Sequence, residues 1–328
     1  MIRTPVCDLL GITVPVVAAP FGPWEQVDLA AAVSRAGGLG SVGTALRSPD
    51  DLRDQWRRLR SLTDRPFAVN HQHRPFDEAA FAATLAARPK VISFHIGVPA
   101  DLVARAHDAG ILWMQQVMDR HQAEDALAAG ADVIIAQGGE AGGHGGWVST
   151  LVLVTETVAL AGDVPVLAAG GIAGGAGLAA ALALGAQGVS MGTRFLASTE
   201  AGVHHDWKRR VVDAQALDAV KVVNSDPIMP PYTRSGVRSQ ARALETPLIT
   251  VLRERPDDVD PAVAGPELIA AIRAGRGDQF LPFTGQSAAL IHEILPAAEI
   301  LRRTVADAEL ALQRALDTTG RTARPAIA

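Results

Sequence analysis

The chain has 328 residues, 48% of them hydrophobic, and a formal net charge of −5. That size suits one large domain with additions, and the charge offers no footprint for nucleic acid or an anionic membrane surface. A single cysteine, Cys7, excludes a disulfide framework and a cysteine-based zinc site and fits a reducing, cytoplasmic setting. The first ten residues carry Arg3, Pro5 and Asp8 in place of the apolar core of a signal peptide. Charges, Gly or Pro interrupt every apolar run before the ~20 residues of a membrane span.

Short continuous apolar runs occur at 15–19, 39–42, 66–70, 91–95, 112–117, 133–137, 166–169 and 188–191. Runs of this length suit parallel strands covered on both faces. Amphipathic segments lie between them, at 26–35, 49–60, 77–88 and 123–129 among others. The alternation predicts a parallel α/β fold, and eight units predict a closed (β/α)₈ TIM barrel. Aromatics are only 4% of the chain, so Val, Ile, Leu and Ala must fill the barrel. Its last helix is expected near Glu200.

Residues 222–262 break the rhythm with Pro227, Pro230, Pro231, Gly236, Pro247, Pro256 and Pro261, and with Arg234, Arg238 and Arg242 spaced by four. They read as an inserted excursion that reaches back over the barrel mouth, or else packs on its flank or in a dimer interface. Residues 1–221 and 263–328 then form the barrel and a C-terminal helical segment. Within that segment 293–316 has helical apolar spacing, and the last ten residues read as a frayed tail.

The densest signal is at 136–146, AQGGEAGGHGG. A buried strand runs into six glycines that carry Gln137, Glu140 and His144 among them. Glycines let backbone approach a flat or charged ligand, and a lone imidazole on such a loop is placed to move a proton. Downstream, PVLAAGGIAGGAG at 165–177 reads as strand, glycine pair and helix N-terminus. That arrangement binds phosphate on free N–H groups and the helix dipole. A further strand ends in Gly192-Thr193-Arg194. Tandem turns of this kind follow strands 7 and 8 of TIM barrels.

The remaining polar features also sit at strand ends: Ala19-Pro20-Phe21-Gly22, Asn70-His71-Gln72-His73, His95, and Gln115-Gln116. Amides at several strand ends can hydrogen-bond a heteroaromatic ring with mixed donors and acceptors, such as an isoalloxazine. With phosphate at the tandem turns and no GxGxxG after a strand, the pattern points to FMN over a dinucleotide. The chemistry of the other candidates is weaker. His71 and His73 could share a metal, but no carboxylate follows at useful spacing. His95 reads as a polar group at the barrel mouth, His204 and His205 as surface residues starting a helix, and Cys7 as inert. Glu140 is either a partner of the loop or a solvated charge.

The chain resembles the nitronate monooxygenase family, the former 2-nitropropane dioxygenases, most closely its class I enzymes. The resemblance rests on AAVSRAGGLG at 31–40, FAVN at 67–70, SFHIGVP at 93–99, the segments 137–146 and 168–196, and a weaker echo at Gly285-Gln286-Ser287. It implies a TIM barrel holding non-covalent FMN. Asn70 and Gln137 would contact the flavin ring, and Gly142 and Gly143 would lie beside it. Ala19, Pro20, Phe21 and Gln286 would add further cofactor contacts. Gly170, Gly171, Gly192 and Thr193 would bind the phosphate. His144 would be the base that takes the α-proton of a nitroalkane; oxidation of the nitronate by FMN and O₂ would then give a carbonyl compound and nitrite. The partners implied are a small nitro compound and O₂, with a homodimer left open. This chain departs from many relatives by carrying Phe21-Gly22-Pro23-Trp24 where a Met follows the first Pro, and Gly146-Trp147 where an arginine often stands; both departures are expected near the substrate face. An NAD(P)H-dependent reductase of quinones or enoyl thioesters is the alternative on the same scaffold. A flavin-free phosphate-binding lyase or synthase and a non-catalytic binding module also compete.

Overall fold

The computed structural model describes residues 2–72, 76–229 and 239–318. Nine strands fall in the first two thirds of the chain: β1 Val16–Ala18, β2 Gly40–Gly43, β3 Phe67–Gln72, β4 Val91–His95, β5 Leu112–Val117, β6 Val133–Gln137, β7 Gly143–Gly145, β8 Val166–Ala169 and β9 Gly188–Met191. All but β7 form one parallel sheet in the order β1-β9-β8-β6-β5-β4-β3-β2. The two ends meet: Ala18 N donates to Leu39 O at 2.9 Å and Leu39 N to Val16 O at 3.0 Å. The sheet is therefore a closed TIM barrel, and its eight strands are those expected from the apolar runs.

Helices α2 Val27–Arg35, α3 Pro49–Leu62, α4 Glu78–Ala87, α5 Ala100–Asp108, α6 Arg120–Ala128, α7 Thr150–Ala161 and α8 Gly175–Ala183 alternate with the strands. Local chemistry sets their ends. At α3, the Ser48 hydroxyl accepts from Asp51 N while the Asp51 carboxylate accepts from Ser48 N, a reciprocal cap of two orphan donors. The same helix buries Leu52, Trp56 and Leu59 at helical spacing. Before the barrel, α1 Pro5–Leu10 packs Val6, Cys7 and Leu10 into one apolar cluster with Val17, Ala68, Val91, Val133 and Leu167. This helix plugs the N-terminal end of the barrel, and Cys7 is buried in the plug.

After β9 come a short helix, α9 Thr193–Leu196, and α10 His205–Asp213. Glu200, expected to open the last barrel helix, instead accepts from Ala297 N at 2.9 Å and so caps the long C-terminal helix α13 Ala297–Thr318. That helix packs on α8.

The stretch 222–262 is more regular than its prolines suggest. With β10 Ala219–Lys221 just before it, it holds β11 Gln240–Leu244, α11 Pro247–Glu254 and the start of α12 Pro261–Arg273. Strand β11 pairs antiparallel with β10 on one side and with β7 on the other. Segment 143–145, read from sequence as part of a glycine-rich loop, is thus a strand: its backbone groups find partners on β11. Arg234 and Arg238 lie outside the described residues.

Candidate active site

The C-terminal ends of the barrel strands open into a cavity of about 560 Å³, within the usual range for a cofactor or substrate site. Twelve of the thirteen residues singled out in sequence line it: Ala19, Pro20, Phe21, Asn70, Gln137, Gly142, Gly143, His144, Gly170, Gly171, Gly192 and Thr193. Gln286 does not. Its backbone N–H binds Glu140 O at 2.9 Å, and its neighbour Ser287 faces the cavity instead.

Four glycine-bearing segments converge here. Gly170 and Gly171 have φ of +93° and +73°, a region that L side chains avoid. A Cβ on Gly142 would lie 2.5 Å from Gly285 N, so only glycine lets the His144 segment touch the 284–285 turn. That turn is tied in turn to Thr193, whose hydroxyl accepts from Gly285 N at 2.9 Å. The Gly170-Gly171 turn leads into the N-terminus of α8, and Gly192 caps α9.

Asn70, in the C-terminal half of β3, donates to Ser93 Oγ at 3.0 Å. Gln137, at the end of β6, donates to His144 O at 3.3 Å. The other atom of its amide, Oε1, is buried with no hydrogen-bond partner among the described residues. An unpaired buried amide oxygen is costly, and it is the donor set of a ligand that would satisfy it.

His144 sits at the centre of β7, opposite Ala241 of β11, with its ring centroid 5.7 Å from that of Phe283. Burial, reinforced by the neighbouring His95 and Lys221, lowers its pKa to about 3. The imidazole is therefore neutral at physiological pH, with one N–H donor and one lone pair. His95 is lowered to about 4, again by burial, with a hydrogen bond to the His71 backbone pulling the other way. His71 belongs to the core: its ring nitrogens pair with Thr84 Oγ1 at 2.9 Å and Thr44 Oγ1 at 3.3 Å. His73 lies outside the described residues, among which no group of three or more His, Cys, Asp or Glu is placed to hold a metal.

Of the shell behind His144, the sequence offered Glu140 as one of two readings, and the roles of Arg242 and Lys221 were missed. Glu140 accepts from Thr150 N at 2.9 Å and Thr150 Oγ1 at 2.8 Å, capping α7 and fixing the middle of the glycine loop. Arg242 Nη2 donates to Gly139 O at 3.0 Å, and Lys221 Nζ to Gly146 O at 2.8 Å. Burial and the nearby Arg242 lower the Lys221 pKa to about 8, against an opposing pull from Glu140. The alternation Gln240-Ala241-Arg242-Ala243-Leu244 was a readable strand signal; the flanking prolines obscured it. Of the two departures expected near the substrate, Phe21 and Trp24 do line the cavity. Trp147 does not: it is 61% exposed and lies under Lys221, 5.2 Å from its ring centroid. His204 and His205 begin α10 at the surface, where His204 Nδ1 accepts from Asp206 N.

A family model described as nitronate monooxygenase matches residues 3–85 and 77–307. The chain belongs to the nitronate monooxygenase family. It is 34% identical to the nitronate monooxygenase of Paraburkholderia phytofirmans over 89% of this chain and 92% of that one. Among solved structures it is similar to FabK from Thermotoga maritima, with a TM-score of 0.88, 35% identity and coverage of 97% and 100% of the two chains. It is also similar to the nitroalkane oxidase of Streptomyces ansochromogenes, with a TM-score of 0.79, 30% identity and coverage of 94% and 99%. The protein is accordingly an oxidoreductase. Among the described residues no helix is long and apolar enough to cross a membrane.

Proposed function

We propose that this protein oxidises alkyl nitronates, and more slowly their parent nitroalkanes, with FMN and O₂, releasing a carbonyl compound and nitrite. One observation carries the reading: a neutral His144 is held on a three-stranded ribbon over a glycine-lined cavity. The residues present fit a flavin. The partnerless Gln137 Oε1 and the Asn70 amide meet the polar edge of its ring. Ala19, Pro20, Phe21, Gly142 and Gly143 lie against the ring, with Ser287 joining them in place of Gln286. The N–H groups at Gly170, Gly171, Gly192 and Thr193, with the α8 dipole behind the first pair, take the phosphate. When bound, FMN would take electrons from the nitronate carbon and pass them to O₂.

The basicity of His144 ranks the two substrates. General bases work best with a pKa near the working pH, and a group titrating near 3 is a weak acceptor for a carbon-bound proton. A preformed nitronate has already lost that proton. For it, the neutral imidazole serves as a hydrogen-bond donor to a nitro oxygen, and the Lys221 charge favours the anion. The purified protein is expected to be yellow and to release FMN on denaturation; recovery of FAD, or of no flavin after gentle purification, would overturn the cofactor. Anaerobic mixing with a nitronate should bleach the flavin and mixing with NADH should not; bleaching by NADH alone would favour the reductase of quinones or enoyl thioesters. The His144→Ala variant is expected to lose ~10²-fold on the neutral nitroalkane, the low end of the scale for removal of a general base because the imidazole is weakly basic, and much less on the nitronate. Equal losses on both would reassign His144 to binding.

A further inference from the structure

The cavity changes character beyond His144. On the barrel side its lining is glycine, amide and hydroxyl. On the other side Ile228, Met229, Leu268, Ile269, Leu281 and Phe283 form a wall, none of them offering a hydrogen bond stronger than a thioether, with the exposed Arg273 as a charged residue on the same side. Ile228, Leu268 and Leu281 are buried together, with Met229 and Phe283 packed on them, so the wall is anchored in its own core. Phe283 is also the ring against His144. The apolar surface therefore begins at the imidazole and runs outward. All six residues lie downstream of the last barrel strand, in or after the excursion, on elements the barrel does not need for closure.

We propose that this wall is a specificity pocket for the hydrocarbon body of the substrate. The site takes nitro compounds with an extended or cyclic apolar group of several carbons in preference to nitromethane or nitroethane. The inference rests on the nitronate reading for the reacting head group and adds the chemical class of what that head is attached to. The two ends of the cavity fix the orientation. A nitro group seated among the amides and the imidazole beside Gln137 and His144 leaves an alkyl chain with the apolar wall before it. A two-carbon substrate leaves that wall wetted; each further methylene removes apolar surface from water on both partners. Burial of a methylene at ~0.8 kcal/mol corresponds to about a fourfold gain.

The test compares anaerobic flavin reduction by the nitronates of nitroethane, 1-nitrobutane, 1-nitrohexane, 1-nitrooctane and nitrocyclohexane. The expected second-order rate constant for flavin reduction climbs about fourfold per methylene until the chain outgrows the wall. Ile269→Asp, which sets a carboxylate in the wall, should collapse the hexyl-to-ethyl ratio, and Ile269→Leu should keep it. A second readout needs no turnover. Unreactive alkanoates from acetate to octanoate, whose carboxylate stands in for the nitronate, should bind by calorimetry with affinity rising and heat capacity change growing more negative with each carbon. A flat dependence in both series, or a slope untouched by Ile269→Asp, overturns the pocket. If nitroethane turns over and neither series gains with length, the pocket fails and the nitronate reading stands. If alkanoates gain with length while every nitronate leaves the flavin oxidised, the nitronate reading fails and the pocket stands.

Discussion

His144 owes its protonation state to neighbours far away in sequence. Burial is the largest cause, and the charges beside it, His95 and Lys221, push the same way. Removing the Lys221 charge should raise the His144 pKa. Histidine-detected NMR titration of Lys221→Met, with and without flavin, would show it; an unmoved or lowered His144 pKa would refute the coupling. Lys221 itself titrates near 8, so its positive charge is present below that pH and lost above it. The KM for an anionic nitronate is therefore expected to rise as the pH passes 8 in the native protein. That limb should vanish in Lys221→Met. Nitroalkane turnover should lack the inflection near 6.5 that an unperturbed histidine would give.

Among the elements, α8 and α13 pack in close contact. A Cβ on Gly175 would lie 2.4 Å from Ala308 N and 2.5 Å from Asp307 Cβ, so Gly175→Ala must push α13 off α8. Overpacking of this kind costs about 1–3 kcal/mol, read as a fall in the denaturant midpoint. Because α8 presents its N-terminus to the Gly170-Gly171 turn, flavin retention should fall as well. Gly174→Ala is the control: its Cβ meets nothing within 4 Å and its φ of −177° is ordinary. Equal stability of the two variants would refute the contact. All eight barrel strands were legible in sequence because each is a short, mainly apolar run set between longer helical segments. The glycine turns were legible because positive φ and close approach select one residue type. The β7–β11 pairing was not: Gly-His-Gly carries no alternation to read, and the partner strand lies between prolines. Nor was the apolar wall, since Leu268 and Ile269 look like any helix core until the cavity beside them is seen.

At the scale of the molecule, the barrel completes its ring before the site is complete. Arg242 reaches Gly139 across 103 residues of chain, and β7 takes its strand pairing, among the described residues, from β11, with the Gln137 amide on His144 O as a tie to the barrel. The ribbon should therefore open at lower free energy than the barrel. Native-state hydrogen exchange is expected to show the amides of 143–145 and 240–244 exchanging together and before those of β3 to β6. Protection of 143–145 matching the barrel strands would refute this. Trimming the excursion back through β11 should accordingly affect His144 as well as substrate size, because that strand pairs with the one that carries the histidine.

The ribbon that carries His144 has another property. Its strand is Gly143-His144-Gly145, one side chain between two bare positions, facing Gln240, Ala241 and Arg242. A pairing shifted by a single residue turns a strand's side chains to the opposite face. Here such a shift would remove the only ring the strand presents and bring a hydrogen atom to its place. Misalignment therefore has no graded form: a deletion within 240–242 should silence proton transfer outright. A length change in the connection between Lys221 and Gln240 leaves the ladder free to re-form in step. Indels across this stretch should sort into two classes, inert and tolerated, with little between them.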